Sequence, residues 1–262
     1  MKKVLLSFDV EEFDLPKEHG GEISLEEGVK VSAEGLEKIL ELCKKCEIKA
    51  TFFCTGNFAS KRPDLIKQIV KDGHEVACHG VDHFNPKSTD VSESKKIVEK
   101  AAGVKIVGYR QPRMSQIDYK ELAKCGYKYD SSVNPAFIPG RYNHFNTPRV
   151  PFMREDILEI PTSVATLARV PLFWLALHLF PVKMYVQMAE MAIKKTGYFA
   201  TSFHPWEFAK LGSFACVPKY IKQNSGDKLV QRLKQVIVNL KRADYDFLTY
   251  KELTERYYGA EK

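Results

Sequence analysis

The stretch Glu75-Val76-Ala77-Cys78-His79-Gly80-Val81-Asp82-His83 runs from a short apolar segment straight into two histidines four residues apart. This pattern predicts a buried strand, with His79 and His83 just beyond its carboxyl end. Imidazole is the commonest metal ligand, and a metal site normally needs a third protein ligand, often a carboxylate. Glu11 offers one, because it follows the apolar run at the start of the chain. If the two segments meet in space, they predict a site for a divalent cation.

Short apolar runs alternate with helical patterns along the 262 residues. The predicted strands cover residues 4–8, 50–54, 75–78, 105–109, 127–129, 157–160, 198–203 and 245–248. Such alternation favours an α/β fold, a distorted TIM-like (β/α)7-8 barrel, with a doubly wound open sheet as the alternative. An open sheet normally carries a Gly-rich phosphate loop after its first strand, and this chain has acidic residues there. We predict one barrel domain over residues 1–262, with an apolar helical insertion or cap around residues 165–195.

Polar residues follow six of the predicted strands. They are Asp9 and Glu11 after the first, Thr55 after the second, His79 and His83 after the third, Arg110 and Pro112 after the fourth, Asp130 after the fifth, and His204 and Trp206 after the seventh. In a (β/α) barrel the carboxyl ends of the strands form the face that carries the chemistry. Because five of these six ends carry an ionisable group, we expect the active site there.

A cation bound at this face suits hydrolysis of an amide or ester, since it polarises a carbonyl and activates water. Hydrolysis also needs a base and an acid. Asp9 is the candidate base beside the ligand Glu11. His204 is the candidate acid, with a near-neutral pKa supported by a carboxylate such as Asp130, and Arg110 would orient the base. Asp9 and Asp130 could instead cap turns, and Arg110 could be a surface charge.

Five motifs resemble those of the polysaccharide deacetylase family, also called the NodB-homology family or carbohydrate esterase family four. They are Ser7-Phe8-Asp9-Val10-Glu11, Ala50-Thr51-Phe52-Phe53, His79-Gly80-Val81-Asp82-His83, Tyr109-Arg110-Gln111-Pro112 and Ser202-Phe203-His204-Pro205-Trp206. The resemblance extends from Ser7 to about Glu207. It implies a TIM-like barrel and metal-dependent hydrolysis of N- or O-acetyl groups on sugars. By similarity, Asp9 is the base, His79 and His83 are ligands, His204 is the acid and Arg110 tethers the base.

Two departures from the family pattern concern the metal and the substrate. The first motif usually has adjacent aspartates, whereas Val10 takes the second place here and Glu11 follows. Because neutral imidazoles suit zinc and its divalent neighbours, we expect zinc, with cobalt, nickel and manganese as alternatives. Arg113 and Met114 follow Pro112 where the family's third motif usually continues to a glycine. We expect substrate contacts from Pro112, Trp206 and Thr55.

The leading functional hypothesis is a metal-dependent hydrolase that removes acetyl groups, foremost N-acetyl, from a sugar in a polysaccharide or glycan precursor, including a lipid-linked one. One alternative is a hydrolase of cyclic amides with the same fold. Another is a catalytically weak, glycan-binding pseudoenzyme. Cys43-Lys44-Lys45-Cys46 matches a thiol redox motif formally, but both cysteines continue the apolar stripe of a predicted helix.

Charge and apolar runs limit the partners and the location. The chain has 40 basic and 33 acidic residues, a net +7, without a long basic run or aromatic-basic interleaving, so we expect no nucleic-acid partner.

The apolar part of the N-terminus is too short for a signal peptide, which predicts a cytoplasmic protein. The apolar run of residues 170–181 is too short to span a bilayer. It predicts either a buried cap or a peripheral contact with a membrane or a lipid-linked glycan. The pattern does not indicate an oligomeric state.

Overall fold

A curled sheet of parallel strands forms the centre of the computed structural model, which describes residues 2–87, 89–138, 142–166 and 168–259. The strands are β1 (Lys3–Val10), β2 (Thr51–Cys54), β3 (Glu75–Cys78), β4 (Gly108–Tyr109), β5 (Tyr129–Asp130), β6 (Phe137–Ile138), β7 (Tyr142–Asn143), β8 (Phe152–Arg154), β9 (Ile157–Glu159), β10 (Tyr198–Phe203) and β11 (Asp246–Phe247). Parallel strands follow in the order β10-β1-β2-β3-β4-β5-β9. β11 also pairs with β1, β8 pairs antiparallel with β9, and β6 and β7 form a separate hairpin.

Helices lie between most of the strands and cover the outer face of the sheet. They are α1 (Leu15–Glu18), α2 (Leu25–Cys46), α3 (Gly56–Lys61), α4 (Pro63–Lys71), α5 (Asp90–Ala102), α6 (Tyr119–Lys124), α7 (Trp174–Leu179), α8 (Val182–Thr196), α9 (Lys219–Lys222), α10 (Asp227–Arg242) and α11 (Tyr250–Gly259). Two 3₁₀ turns, Pro112–Met114 and Pro205–Phe208, follow β4 and β10. This alternation of parallel strands and helices is the one that the sequence predicts.

The segment after β9 brings the two ends of the parallel sheet together. The Ser163 amide donates to the Ala200 carbonyl at 2.9 Å, and the Ala200 amide donates to Ser163 Oγ at 3.0 Å. The Tyr198 hydroxyl donates to the Pro161 carbonyl at 2.7 Å. These bonds join β10 to the chain beyond β9 without a regular strand. The prediction of a distorted TIM-like barrel is therefore confirmed.

Strand alternation decides which side chains face the interior of the barrel. In β1, Leu5 belongs to the interior apolar cluster, whereas Phe8 and Val10 belong to the cluster beneath the helices. Successive side chains of a strand point to opposite faces, so Asp9 shares the inward face with Leu5. Tyr250, at the start of α11, is buried in the same interior cluster. The barrel interior is thus apolar in its lower part and becomes polar at the carboxyl ends of the strands.

Two glycines of α2 allow close approach by the loops that carry the polar residues. A Cβ on Gly28 would lie 2.8 Å from the Phe13 carbonyl oxygen, and a Cβ on Gly35 would lie 1.7 Å from the Pro205 carbonyl oxygen. Neither position tolerates a side chain, because both contacts are with backbone. Gly28 therefore sets the path of the loop after β1, and Gly35 sets the path of the turn after His204.

All eight predicted strands are present, with ends within three residues of the predicted ones. The apolar stripe that includes Cys43 and Cys46 predicts a helix from about residue 33 to residue 47, and this start is wrong by more than two turns. The helix begins after Ser24, whose side chain accepts a hydrogen bond from the Glu27 amide as an N-cap. The sequence interpretation also missed β8, the β6–β7 hairpin and the short helices α1, α3 and α9.

The apolar run of residues 170–181 contains α7, which packs against the rest of the protein. Arg232 donates to the carbonyls of Leu177 and Phe180, and Asn224 donates to the carbonyl of His178. Among the described residues, no helix has the length and apolar character that a membrane span requires. The division into a barrel and an apolar insertion stays a prediction, although α8 packs on β10 as the other barrel helices pack on their strands.

The two cysteines of the Cys43-Lys44-Lys45-Cys46 motif are buried at the end of α2 as free thiols. Burial raises the pKa of the Cys43 thiol, and burial also raises the pKa of Cys46. A raised pKa disfavours the thiolate that redox chemistry needs. Their position in the core favours the packing role.

Candidate active site

One cavity of about 400 Å³ opens at the carboxyl ends of the strands. Seven of the ten residues that we singled out line it, namely Asp9, Glu11, His79, His83, Arg110, His204 and Trp206. Asp9 and Asp130 lie within β1 and β5 rather than after them. Asp130, Pro112 and Thr55 are not part of the cavity wall.

Glu11, His79 and His83 form the cluster that could hold a metal ion. One ligand atom from each of the three residues lies within 4.8 Å of the others. Oε2 of Glu11 is 3.4 Å from Nε2 of His79 and 3.2 Å from Nε2 of His83. Two imidazole nitrogens and a carboxylate oxygen are a usual donor set for a catalytic zinc, which leaves a position open for water.

The outer nitrogen of each imidazole has its own hydrogen-bond acceptor. Nδ1 of His79 lies 2.9 Å from the Arg110 carbonyl oxygen, and Nδ1 of His83 lies 2.7 Å from Oδ2 of Asp14. Both acceptors favour a proton on Nδ1, which leaves the Nε2 lone pair facing Glu11. Metal-binding histidines usually have such a partner, which fixes the tautomer and the ring orientation.

The hydrogen bonds and the charge of the Glu11 carboxylate show whether a cation fits between the three side chains. Its Oε1 accepts from the Trp206 indole at 3.1 Å, but its Oε2 is buried and has no hydrogen-bond partner in the described part of the chain. Burial raises the pKa of Glu11, but the positive charges of His83 and His204 and the contact with His79 outweigh it and lower the pKa to about 2. A buried, ionised oxygen without a donor is costly unless a cation binds it. The residues present therefore fit a divalent ion.

The charge of Glu11 also shifts the pKa of His83. Burial lowers its pKa, but the negative charges of Glu11 and Asp14 outweigh this effect and raise the pKa to about 9. Without a cation the cluster thus favours an imidazolium against two carboxylates. A divalent ion would replace this proton, since ligation requires a neutral imidazole.

The loop after β1 and the loop after β3 are joined by Glu12. Its carboxylate accepts from the Asn57 amide at 2.9 Å, from the Thr55 hydroxyl at 2.8 Å and from the His83 backbone amide at 3.2 Å. Thr55 lies outside the cavity wall and also caps α3 by accepting from the Phe58 amide, so its contact with substrate stays a prediction. Thr55 therefore stabilises the loops that carry the ligands.

Pro112 also has a structural role, and its contact with substrate stays a prediction. A Cβ on Gly80 would lie 2.7 Å from Cγ of Pro112, and Gly80 has a φ of +67°. The proline ring thus packs on the turn between His79 and His83, where only glycine leaves it room.

Arg110 crosses the base of the cavity and is fully buried. Its guanidinium donates to Asp9 Oδ1 at 2.5 Å and to the hydroxyls of Ser7, Ser131 and Tyr250 at 3.0 to 3.2 Å. The structure thus places Arg110 against Asp9, as the sequence predicts for a tether. The arginine fixes one oxygen of Asp9 and leaves Oδ2 on the cavity side.

His204 faces Asp9 and Glu11 from β10. Its Nε2 is 4.0 Å from Asp9 Oδ2 and 4.0 Å from Glu11 Oε1. Its Nδ1 is 2.9 Å from Oε1 of Glu207, which also accepts from the His204 backbone amide. Burial lowers the pKa of His204, but Glu11, Glu207 and Asp9 outweigh it and raise the pKa to about 9. This value lies above the near-neutral one that we expected.

The prediction that Asp130 is the partner of His204 is wrong. Tyr129 faces the barrel interior, so the next side chain in β5, Asp130, faces the helix layer. There it accepts from Ser132 and shares a hydrogen bond with Glu159, its neighbour in β9. Burial, above all, raises the pKa of Asp130, and burial together with the charge of Asp130 raises that of Glu159. One proton shared by this pair avoids two adjacent buried charges.

The shared proton predicts a pH dependence of stability. A carboxyl group with a raised pKa in the folded protein adds stability below its unfolded pKa, and loses it as the pH rises through the folded value. Above about pH 4, we expect the free energy of unfolding of Glu159→Gln to fall less steeply with pH than that of the wild type. The two slopes should differ by at most about 1.4 kcal/mol per pH unit for one proton. Urea unfolding of the metal-free proteins between pH 5 and 9 checks this. Parallel curves for variant and wild type would contradict the shared proton.

Four residues of the site were missed by the sequence interpretation, namely Glu12, Asp14, Asn134 and Glu207. The sequence could have revealed Glu207, because a carboxylate three residues after His204 is typical of a capping box. Asp14 gave no local signal, since its partner His83 lies 69 residues away. Asn134 lines the cavity with a buried side-chain amide for which the described residues supply no hydrogen-bond partner.

Asp14 provides a direct test of the ligand geometry. Asp14→Ala should weaken metal binding about 10- to 100-fold, because His83 loses the acceptor that orients its ring. Asp14→Asn keeps an acceptor, so its metal affinity should fall between those of the wild type and Asp14→Ala. Competition with a chromophoric chelator measures the affinity. Equal affinities in wild type and Asp14→Ala would show that His83 does not depend on this bond.

Residues 2–129 match the family model described as polysaccharide deacetylase.

The resemblance to the polysaccharide deacetylase family is confirmed.

A peptidoglycan deacetylase from Helicobacter pylori is 32% identical over 127 residues, which cover 44% of this chain and 43% of that protein. The match thus spans less than half the length of this relative.

Similarity to solved structures covers nearly the whole chain. A crystal structure from Mycobacterium smegmatis, assigned as a polysaccharide deacetylase, superposes with a TM-score of 0.69 at 19% identity, covering 99% of this chain and 91% of the other. The allantoinase Puue superposes with a TM-score of 0.63 at 16% identity, covering 98% and 89%. At these identities the likeness shows the shared fold. It extends the barrel beyond the residues that the family model matches.

Proposed function

We propose that this protein is a metal-dependent deacetylase that removes the N-acetyl group from a sugar of a polysaccharide or glycan precursor. The observation that carries the proposal is the arrangement of an acid–base pair around one ligand cluster. Asp9 and His204 both lie beside Glu11, in the cavity that also contains His79 and His83. The match to the deacetylase family and the peptidoglycan deacetylase of H. pylori support a sugar substrate.

Glu11, His79 and His83 would hold the cation, which supplies a Lewis acid for the acetyl carbonyl and for water. We propose zinc, because two neutral imidazoles and one carboxylate suit it, and cobalt, nickel or manganese as substitutes. The protein's own part is to keep the Nε2 lone pairs free and the Glu11 carboxylate ionised. Asp14, the Arg110 carbonyl and Trp206 provide the hydrogen bonds that do so.

Asp9 would act as the base. Its Oδ1 is bound by Arg110, so Oδ2 is the oxygen available to take a proton from water. His204 would act as the acid, with its Nε2 proton directed towards the nitrogen of the leaving amino sugar. Glu207 holds the other ring nitrogen and fixes this orientation. The charge of Glu11 is the largest of the effects that raise the pKa of His204, and a cation bound to Glu11 would offset it.

The rest of the cavity wall suits a sugar bearing an acyl group. Phe173, Trp174 and Met114 supply apolar surface, while Ser132 and Asn134 supply polar groups on the same cavity. Binding sites for small ligands commonly combine an apolar wall with a few polar groups.

An acetate-release assay tests the proposal. N-acetylglucosamine oligosaccharides, peptidoglycan fragments and an O-acetylated sugar should be compared, with allantoin as the cyclic-amide alternative. We expect acetate and free amine in equal amounts, loss of activity with a chelator, and recovery with Zn²⁺ or one of the substitutes. Ring opening of allantoin without acetate release would favour the amidohydrolase alternative. Sugar binding without turnover would favour the pseudoenzyme.

A further inference from the structure

Three side chains form a continuous hydrogen-bonded chain that ends at the cavity. Nε2 of His178 lies 2.8 Å from Oε2 of Glu207, and Oε1 of Glu207 lies 2.9 Å from Nδ1 of His204. His178 and Glu207 are 1% and 0% exposed, so neither bond competes with bulk water. His204 is the member of this chain that reaches the cavity.

The tautomer of His178 follows from its surroundings. Its Nδ1 is buried and has no hydrogen-bond partner among the residues that the structure describes. A buried N–H without an acceptor is rarer and costlier than an unpaired lone pair, so the proton lies on Nε2 and is donated to Glu207. Glu207 then accepts one side-chain hydrogen bond on each oxygen, from His178 and from His204.

The helix that carries His178 is held in place from outside the cavity. The carbonyls of Leu177, His178 and Phe180 accept hydrogen bonds from Arg232 and Asn224. One turn before His178, Trp174 contacts the His178 ring edge-on at 5.8 Å and the His204 ring at 5.6 Å. The helix thus presents a fixed donor to Glu207 and a fixed aromatic ring to His204.

We propose that His178 is a positioning residue for the catalytic acid, acting through Glu207; this inference rests on the proposed function of His204. Without His178, Oε2 of Glu207 loses its side-chain donor, and the carboxylate can turn about its terminal bond. His204 then loses the constraint on its Nδ1, and its Nε2 no longer stays beside Asp9. The apolar segment that contains α7 therefore contributes to the chemistry as well as to the wall.

Two substitutions separate hydrogen bonding from packing. His178→Phe keeps an aromatic ring but removes the donor, whereas His178→Gln keeps a donor at a similar reach. We expect His178→Phe to lower kcat about 10- to 100-fold, with KM and metal content nearly unchanged, and His178→Gln to recover most of kcat. His74→Phe is the matched control, since His74 is a buried histidine next to the amino end of β3. It should change stability but not kcat.

A second readout does not require turnover. In zinc-loaded protein with ¹⁵N-labelled histidine, the Nδ1 proton of His204, assigned with His204→Ala, should be protected from exchange with water. The protection should be lost in His178→Phe and kept in His178→Gln and His74→Phe.

The outcomes distinguish this inference from the proposed function. Unchanged kcat and unchanged protection in His178→Phe would overturn the positioning role and leave the deacetylase proposal intact. Equal losses in His178→Phe and His178→Gln would assign His178 to packing and also overturn it. Absence of acetate release by the wild type, with protection still dependent on His178, would refute the proposed function while keeping the coupling between the two histidines.

Discussion

His79→Ala and His83→Ala should each lose the bound metal and nearly all acetate release. Each substitution removes one of two nitrogen ligands and leaves Oε2 of Glu11 facing an empty space. Loss of the Lewis acid costs several kcal/mol of transition-state stabilisation, which corresponds to about 10³-fold or more in rate. Elemental analysis of the purified variants and the acetate assay measure both losses.

The control for these variants is His19→Ala, which removes an exposed histidine at the end of α1. It should keep full metal content and activity. Circular dichroism should show the same secondary structure in all three variants, because the ligands lie in loops. If His79→Ala retained stoichiometric metal and normal turnover, the ligand cluster would be wrong.

Asp9→Asn should keep the metal but lose turnover by about 10²- to 10⁴-fold, the usual contribution of a general base. An amide has the shape of the carboxylate but cannot take a proton from water. Asp9 does not belong to the cluster of Glu11, His79 and His83 that could hold the metal, so metal binding should persist. Metal content and kcat, measured on the same preparation, give the required pair of values.

Arg110 complicates this variant, because it is buried and Asp9 is its charged partner. Removing one charge of a buried pair costs about 3–5 kcal/mol of stability, so the free energy of unfolding should fall as well. Asp82→Asn is the matched control. Its carboxylate lies between the two histidine ligands in sequence but accepts from the Asn85 amide outside the cavity. Normal kcat in Asp9→Asn would reject the base assignment.

The strands and the main ligands could be predicted from the sequence because both depend on local pattern. Short apolar runs mark the parallel strands, and parallel strands bring their carboxyl ends to one face. Alternation within β1 places residue 10 on the side of the helices, which favours Glu11 over that position as the candidate ligand. Asp9 faces inward, Val10 is buried beneath the helices, and the carboxylate after it is available to the cavity.

The partner of His204 could not be chosen on the same grounds. Asp130 stands at a strand end as the other site residues do, but the strand was predicted to end at residue 129. In the structure β5 includes Asp130, which pairs with Glu159 of β9. The side chain of Asp130 therefore faces the helix layer. Glu207 takes the role instead, from the 3₁₀ turn that begins directly after His204.

Other features depend on contacts between distant segments. Asp14 meets His83 across 69 residues, and Glu12 joins three segments that are separate in sequence. The glycines of α2 have a low helix propensity, although packing against Phe13 and Pro205 requires them. Propensity alone does not reveal such tertiary requirements.

The most direct test of the metal-centred account is a crystal structure of the protein grown with Zn²⁺, with data collected on both sides of the zinc absorption edge. We expect one anomalous peak about 2.0–2.2 Å from Nε2 of His79, Nε2 of His83 and a carboxylate oxygen of Glu11. A peak bound elsewhere, or imidazoles that stay beside Glu11 without a peak at saturating zinc, would contradict the account.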